Sequence, residues 1–162
     1  LDVIGEDGKA RENRRKALDL AEETILKVSK EMQEQLSRDL NDKVSAILKS
    51  ITDGKYEKVW VDENLHMRLL ANGRSVAMEQ VSRGTLEQIY FALRMAAAEV
   101  LYEEEYPVIL DDTFAYYDDV RLEATLKWLA ENRRQVLIFT CQKREEELLE
   151  KVGCLYAKIE IE

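Results

Sequence analysis

A chain of 162 residues with 46% apolar content suits one domain and is ample for a hydrophobic core. Its formal charge of −9 argues against this chain alone being a strong duplex-DNA binder, because such binding is driven by neutralising phosphates. A local basic patch, or DNA binding by a larger assembly, stays open. No apolar run approaches the roughly 18 residues of a membrane span, and no signal peptide is visible, so a soluble protein with no membrane partner is expected. Cys141 and Cys154 lie outside any metal-ligand spacing and read as reduced core thiols of a cytoplasmic protein. The lone histidine, His66, falls in a strand pattern and is read as non-catalytic.

In chain order, Leu1 to Lys9 reads as a short glycine-containing lead-in. Its Gly5 to Ala10 run is too short for a phosphate loop and lacks a preceding strand. From about Lys9 to Ile51 the residues are helix formers. Leu18, Ala21, Ile25, Val28 and Met32 alternate steps of three and four, the seam of a coiled coil. Leu36, Leu40, Val44, Ile47 and Ile51 then step mainly by four, so the stripe drifts round the helix. One partner helix near the start and a globular body near the end are expected. Asp53-Gly54 closes the helix, and residues 1–53 are assigned to a coiled-coil stub and root, 54–162 to the globular lobe.

Three short strands should follow, over Lys58 to Asp62, Leu65 to Leu70 and Ser75 to Met78. Asn72-Gly73 between the last two predicts a two-residue hairpin, whose turn positions both need positive φ. A helix is expected from about Thr85 to Glu103, its Thr85-Leu-Glu-Gln88 having capping-box spacing. Tyr106 to Asp112 and Gln135 to Cys141 are continuous apolar runs of the kind buried on both faces of a parallel sheet. Helices over Asp118 to Asn132 and Lys143 to Val152, and a last strand over Tyr156 to Ile161, complete an α/β layer with parallel strands. Ligands of such layers sit at the carboxyl ends of the strands. Asp111, Asp112 and Gln142 all fall there.

A nucleotide hydrolase needs a phosphate cradle, a carboxylate for the Mg²⁺ shell, a group that orients water, and donors for the γ-phosphate charge. Ser82 offers a hydroxyl, and Gly84 lets backbone N–H groups approach an anion. Asp111 suits the Mg²⁺ shell, Asp112 the water, and Gln142 either phosphate or that water. The glycine-rich loop GxxxxGK[ST] is absent from the chain.

In this order the residues resemble the carboxyl-terminal lobe of an ABC-type ATPase head. The closest kind is the SMC-like branch, with the SbcC- and RecN-like coiled-coil ATPases. VSRGTLEQIYFALRMA resembles the signature motif and its helix, VILDDTFAYYDD the Walker B strand and D-loop, and VLIFTCQKRE the switch strand. Ile51-Thr-Asp-Gly54-Lys-Tyr56 is similar to large bacterial members. The resemblance implies a P-loop NTPase-type half-domain with parallel strands, a small antiparallel meander and a long coiled-coil helix. It implies that the signature residues Ser82, Arg83, Gly84 and Thr85 face an ATP held by the opposite subunit, with Ser82 and Gly84 at its γ-phosphate. Asp111 would bind Mg²⁺ through water, Asp112 would be the catalytic acid, Asp118 the D-loop aspartate at the dimer interface, and Gln142 the switch residue. Arg94 would couple nucleotide state to the coiled-coil root.

The implied partners are an amino-terminal Walker A lobe, a second copy across an ATP sandwich, a coiled-coil partner helix and, through the full assembly, DNA in repair or maintenance. The isolated chain is expected to hydrolyse no ATP. Departures are Val81 and Arg83 for the usual Leu and first Gly of the signature, Asp112 for Glu, and Gln142 for a histidine. Gln142 donates a hydrogen bond but cannot titrate near neutrality. These departures keep open a non-catalytic dimerisation or interaction module. A Mg²⁺-dependent phosphoesterase or nuclease on Asp111, Asp112, Asp118 and Asp119 is the competing enzyme reading.

Overall fold

The computed structural model describes residues 3–61, 66–102 and 104–160, with backbone only for 3–8 and 10. Helix α1 runs Val3–Ile51, beginning before the expected Lys9 and carrying Gly5 and Gly8 within it. Each glycine costs about 1 kcal/mol in a helix, a penalty the surrounding helix formers absorb. The chain divides into two compact units, Leu1–Arg38 and Asp39–Glu162.

In the first unit Leu18, Ile25, Val28, Met32 and Leu36 are all exposed, so the coiled-coil seam stands without a covering helix among the described residues. In the second, Val44, Ile47, Leu48 and Ile51 are buried in one cluster with Leu69, Ile89, Phe91, Ala92, Leu110, Leu122 and Leu126. The drift of the stripe after Leu36 is thus the change from seam to core. It places the boundary between units inside α1, before its end.

The end of α1 is satisfied from two sides. The N–H of Gly54 returns to Lys49 O at 2.8 Å, with Gly54 at φ +75° as a left-handed terminator. The buried amide of Gln88 donates to Ile51 O at 3.0 Å. Gln88 is therefore a cap for α1, which corrects the expected capping box at Thr85.

Strands β1 (Lys58–Val61), β2 (Met67–Ala71) and β3 (Arg74–Ala77) form an antiparallel sheet in sequence order. Asp62 and Leu65, expected in these strands, lie outside the described residues. Asn72 and Gly73 have φ of +51° and +69°, the hairpin turn expected of that pair. The edge strand β1 is met by polar side chains of α1. Asn41 accepts from Val61 N at 2.7 Å and donates to Val61 O at 3.2 Å. Ser45 Oγ accepts from Val59 N at 3.0 Å. Those two side chains pair an edge that would otherwise offer free backbone groups.

Helix α2 spans Arg83–Leu101, with Ser82 rather than Thr85 as its N-cap; Glu103 lies outside the described residues. Strand β4 (Val108–Asp111) pairs in parallel with β5 (Val136–Phe139), and Asp111 stands opposite Phe139. Helices α3 (Asp119–Asn132) and α4 (Arg144–Val152) follow the two strands.

Burial on both faces, expected for β4 and β5, is not found. Val108 and Leu110 are buried while Ile109 is 65% exposed, and Leu137 and Phe139 are exposed beside it. A continuous apolar run suits a sheet covered on both sides, and here one face alone is covered by the described residues. Nor does Tyr156–Glu160 form the expected last strand; Ile161 lies outside the described residues. That segment is held by side chains instead, Tyr156 Oη donating to Glu150 at 3.1 Å and Lys158 to Glu146 at 3.0 Å. Cys141 is exposed and Cys154 half-buried, both free thiols, so neither is the core residue expected.

Candidate functional site

The site is organised by the loop that leads from Asp112, at the end of β4, to Asp118, the N-cap of α3. At its first end the parallel ladder reaches one residue beyond β4, where Asp112 N–H donates to Phe139 O at 3.0 Å. Asp112 has φ +44°. Among residues with a side chain, Asp and Asn tolerate that left-handed region best, because a short polar group hydrogen-bonds locally. The local backbone thus gives a reason for Asp where the resemblance leads one to expect Glu. Asp111 and Asp112 are both exposed at this strand end. Cys141, just past β5, lies with its Sγ 3.9 Å from Asp112 Oδ1. The fold therefore brings the acid pair together with the end of the switch-like strand. Gln142 is half-buried there, its N–H turned to Thr140 Oγ1 at 3.0 Å. It does not cap α4, whose N-cap is Lys143.

The middle of the loop is pinned. Phe114 and Tyr117 are buried and meet edge to face at 5.4 Å. Burial pushes the Tyr117 phenol well above its ordinary pKa, with Glu87 adding to the rise and Arg121 and Arg94 opposing it. Tyr117 is neutral at any physiological pH. Arg94 is exposed on α2. Arg144, at the start of α4, donates from its two terminal nitrogens to Tyr117 O and Phe114 O, each at 2.6 Å.

The signature-like turn packs on the far part of the same loop. Ser82 Oγ accepts from Thr85 N at 3.3 Å and lies 3.0 Å from Thr85 Oγ1. Thr85 is 1% exposed and lies 3.4 Å from the Tyr56 hydroxyl, so its oxygen is engaged internally. Ser82 and Arg83 are exposed. The Arg83 guanidinium stacks 3.6 Å over the half-exposed Tyr116 ring. At Gly84 a methyl group would sit 2.8 Å from Tyr116 O and 3.6 Å from Arg121. The glycine read as an anion cradle is thus required first by a close backbone crossing within the lobe. Asp118 accepts from Arg121 N at 2.9 Å and pairs with the Arg121 guanidinium; Asp119 lies 3.9 Å from Arg144.

Chemically, one end of the loop presents two carboxylates and the other a hydroxyl, a guanidinium and a helix start. Among the described residues no three His, Cys, Asp or Glu side chains converge on a metal position. A single carboxylate such as Asp111 fits a Mg²⁺ that keeps water and phosphate oxygens as its other ligands. The residues that motif reading passed over are Tyr116 and Arg144, while Gln88 was read only as part of a capping box. Arg144 lies two places beyond Gln142, inside a run scored only for its switch position.

No family model matches the chain. An uncharacterized protein, YhaN of Bacillus subtilis strain 168, is 36% identical over 99 residues, 57% of this chain and 10% of the relative's length. The chain thus spans a small part of that relative. Among solved structures, one from work on ATP-driven dimerization and DNA-stimulated activation of SMC ATPases matches with a TM-score of 0.58 at 12% identity, over 74% of this chain and 77% of the other. The SMC head domain of Thermotoga maritima matches at 0.54 and 20% identity, over 72% and 44%. The Smc head of Pyrococcus furiosus, bound to the C-terminal domain of ScpA, matches at 0.52 and 13%, over 85% and 38%. The fold of this chain is that of the carboxyl-terminal lobe of an SMC-like ATPase head.

Proposed function

We propose that this chain supplies the signature turn, the Walker B acids and the D-loop of a composite ATP site, and couples ATP-driven dimerisation to a coiled coil. The observation that carries the reading is the loop from Asp112 to Asp118. It has an acid pair at a parallel strand end and, packed on its Tyr116 stretch, the turn bearing Ser82 and Arg83. Asp112 orients the attacking water and takes its proton, a role worth about 10²–10⁴ in rate. Asp111 would hold a bound Mg²⁺, and Gln142 would hydrogen-bond the water or the γ-phosphate. A bound Mg²⁺ would neutralise charge developing on the phosphates.

Ser82 and Arg83, exposed at the start of α2, face the nucleotide of a second subunit, where a helix N-terminus favours an anion. Arg94, exposed on α2, relays the state of that site toward the root of α1. Asp118, capping α3, lies at the dimer interface. The exposed face of β4 and β5 takes a lobe bearing the phosphate loop, and the exposed seam of α1 takes a partner helix. Among the described residues no helix is long and apolar enough to cross a membrane. The free thiols fit a cytoplasmic setting. One of the similar solved structures comes from work on DNA-stimulated activation of SMC ATPases, which supports reading the intact protein as a machine acting on DNA.

The test combines the purified chain with a lobe that carries GxxxxGK[ST], or uses the intact protein that contains both. The chain alone is expected to hydrolyse no ATP, the combination to turn over, and Asp112→Asn to lower kcat by about 10²-fold or more. An inert wild-type combination would favour the non-catalytic module instead.

A further inference from the structure

We infer that Arg144 is a positioning residue for hydrolysis, locking the acid-bearing loop through two backbone carbonyls; the inference rests on the ATPase reading above. Its terminal nitrogens reach Phe114 O and Tyr117 O at 2.6 Å each, a fork that spans the centre of the loop. Such charge-assisted bonds are roughly twice as strong as neutral ones. Asp119, at the start of α3, lies 3.9 Å from the guanidinium, and the neighbouring buried Glu145 lies 3.7 Å from its Nε, which makes no hydrogen bond, so the two terminal nitrogens carry the contact to the loop.

The loop needs such a lock. It starts at a residue with a side chain at φ +44°, and the N–H of Ala115 reaches back to Asp112 O at a long 3.4 Å. Only the Tyr117 N–H to Phe114 O bond, at 2.9 Å, closes a firm turn within it. Arg144 is attached to both residues of that turn and follows Gln142 by two positions. The loop that carries Asp112 and the segment that carries Gln142 are thereby tied into one body. A lysine cannot replace the fork, because its single ammonium does not present paired planar donors.

The experiment measures steady-state ATP hydrolysis by the intact protein with both lobes, comparing wild type, Arg144→Ala, Arg144→Lys, Asp112→Asn and the Arg144→Ala/Asp112→Asn double variant. Arg144→Ala is expected to lower kcat by about 10-fold or more while KM for ATP changes by less than about 2-fold, the split that marks lost alignment rather than lost binding. Arg144→Lys, which keeps the charge, is expected to fall between wild type and Arg144→Ala, and it serves as the test if the alanine variant does not fold. The double variant is expected to be no slower than Asp112→Asn alone, since Arg144 acts through that acid. Were Asp112→Asn to abolish turnover while both Arg144 variants kept wild-type kcat, this inference would fall and the ATPase reading would stand. A raised KM with unchanged kcat, or a further loss in the double variant, would also overturn it. A wild-type protein that hydrolyses no ATP would take the ATPase reading down with it.

Discussion

At the scale of single residues, the lobe is tightest where Gly84 passes Tyr116. The atom facing Gly84 is a backbone oxygen, which cannot rotate away as a flexible side chain would, and a methyl group would lie 2.8 Å from it. Gly84→Ala must therefore push the loop or the start of α2. Overpacking of this kind costs about 1–3 kcal/mol. Urea unfolding of the chain should show a loss in that range, and a variant within about 0.5 kcal/mol of wild type would mean the crossing is looser than it looks. Thr85 belongs to the same tight corner, its hydroxyl spent between Ser82 and Tyr56. Of the four signature-like residues, only Ser82 and Arg83 keep side chains in reach of solvent.

Between elements, Glu99 of α2 joins α1 to the end of α3. It accepts from Lys43 at 3.0 Å and from Arg133, whose guanidinium also stacks 4.9 Å from the Trp128 ring. Burial pushes the Glu99 carboxyl up, but hydrogen bonds from Arg133 and Lys43 outweigh it and leave the pKa below the usual value. A carboxyl whose folded pKa is depressed adds stability above its unfolded pKa, near 4.3, and loses it as pH falls through the folded value. Glu99→Gln should thus cost about 1–2 kcal/mol at about pH 7, toward the lower figure because solvent screens a side chain still a quarter exposed. The gap between wild type and variant should shrink at about pH 3. Unfolding curves at both pH values decide it, and an equal gap at both would show that Glu99 contributes packing, not charge.

The same scale shows what a sequence carries and what it leaves out. The stripe from Leu18 to Ile51, the Asn72-Gly73 turn and the acids at the end of β4 were legible because each is a local pattern with a local physical cause. The exposure of Ile109 and Phe139 was not, since the run of apolar residues is the same whether or not a second layer covers it. A start for α2 at about Thr85 was two residues late, because Ser82 and Thr85 are equally able to cap and the buried Gln88, turned to Ile51 O, decides. Arg144 was missed for another reason. Its partners are carbonyls of a loop far off in sequence, and backbone acceptors leave no mark in a motif.

For the molecule as a whole, every residue of the buried cluster lies at or beyond Val44, inside the unit Asp39–Glu162. The described apolar side chains before Arg38 are exposed, so they bury nothing that folding of that unit would lose. A chain cut to residues 39–162 should then fold by itself. Asp39 and Asp42 would fall in the first turn of its shortened helix, where negative charge is favourable by about 0.3–1 kcal/mol per residue. Its thermal midpoint should stay within about 3 °C of the parent, a shift worth less than about 1 kcal/mol in a domain of this size. The test is the melting curve of the shortened chain by circular dichroism. A midpoint lower by more than about 10 °C would show that the exposed helix is a structural part of the lobe. A stable short form would instead mark residues before Asp39 as an arm that the fold of the lobe does not need.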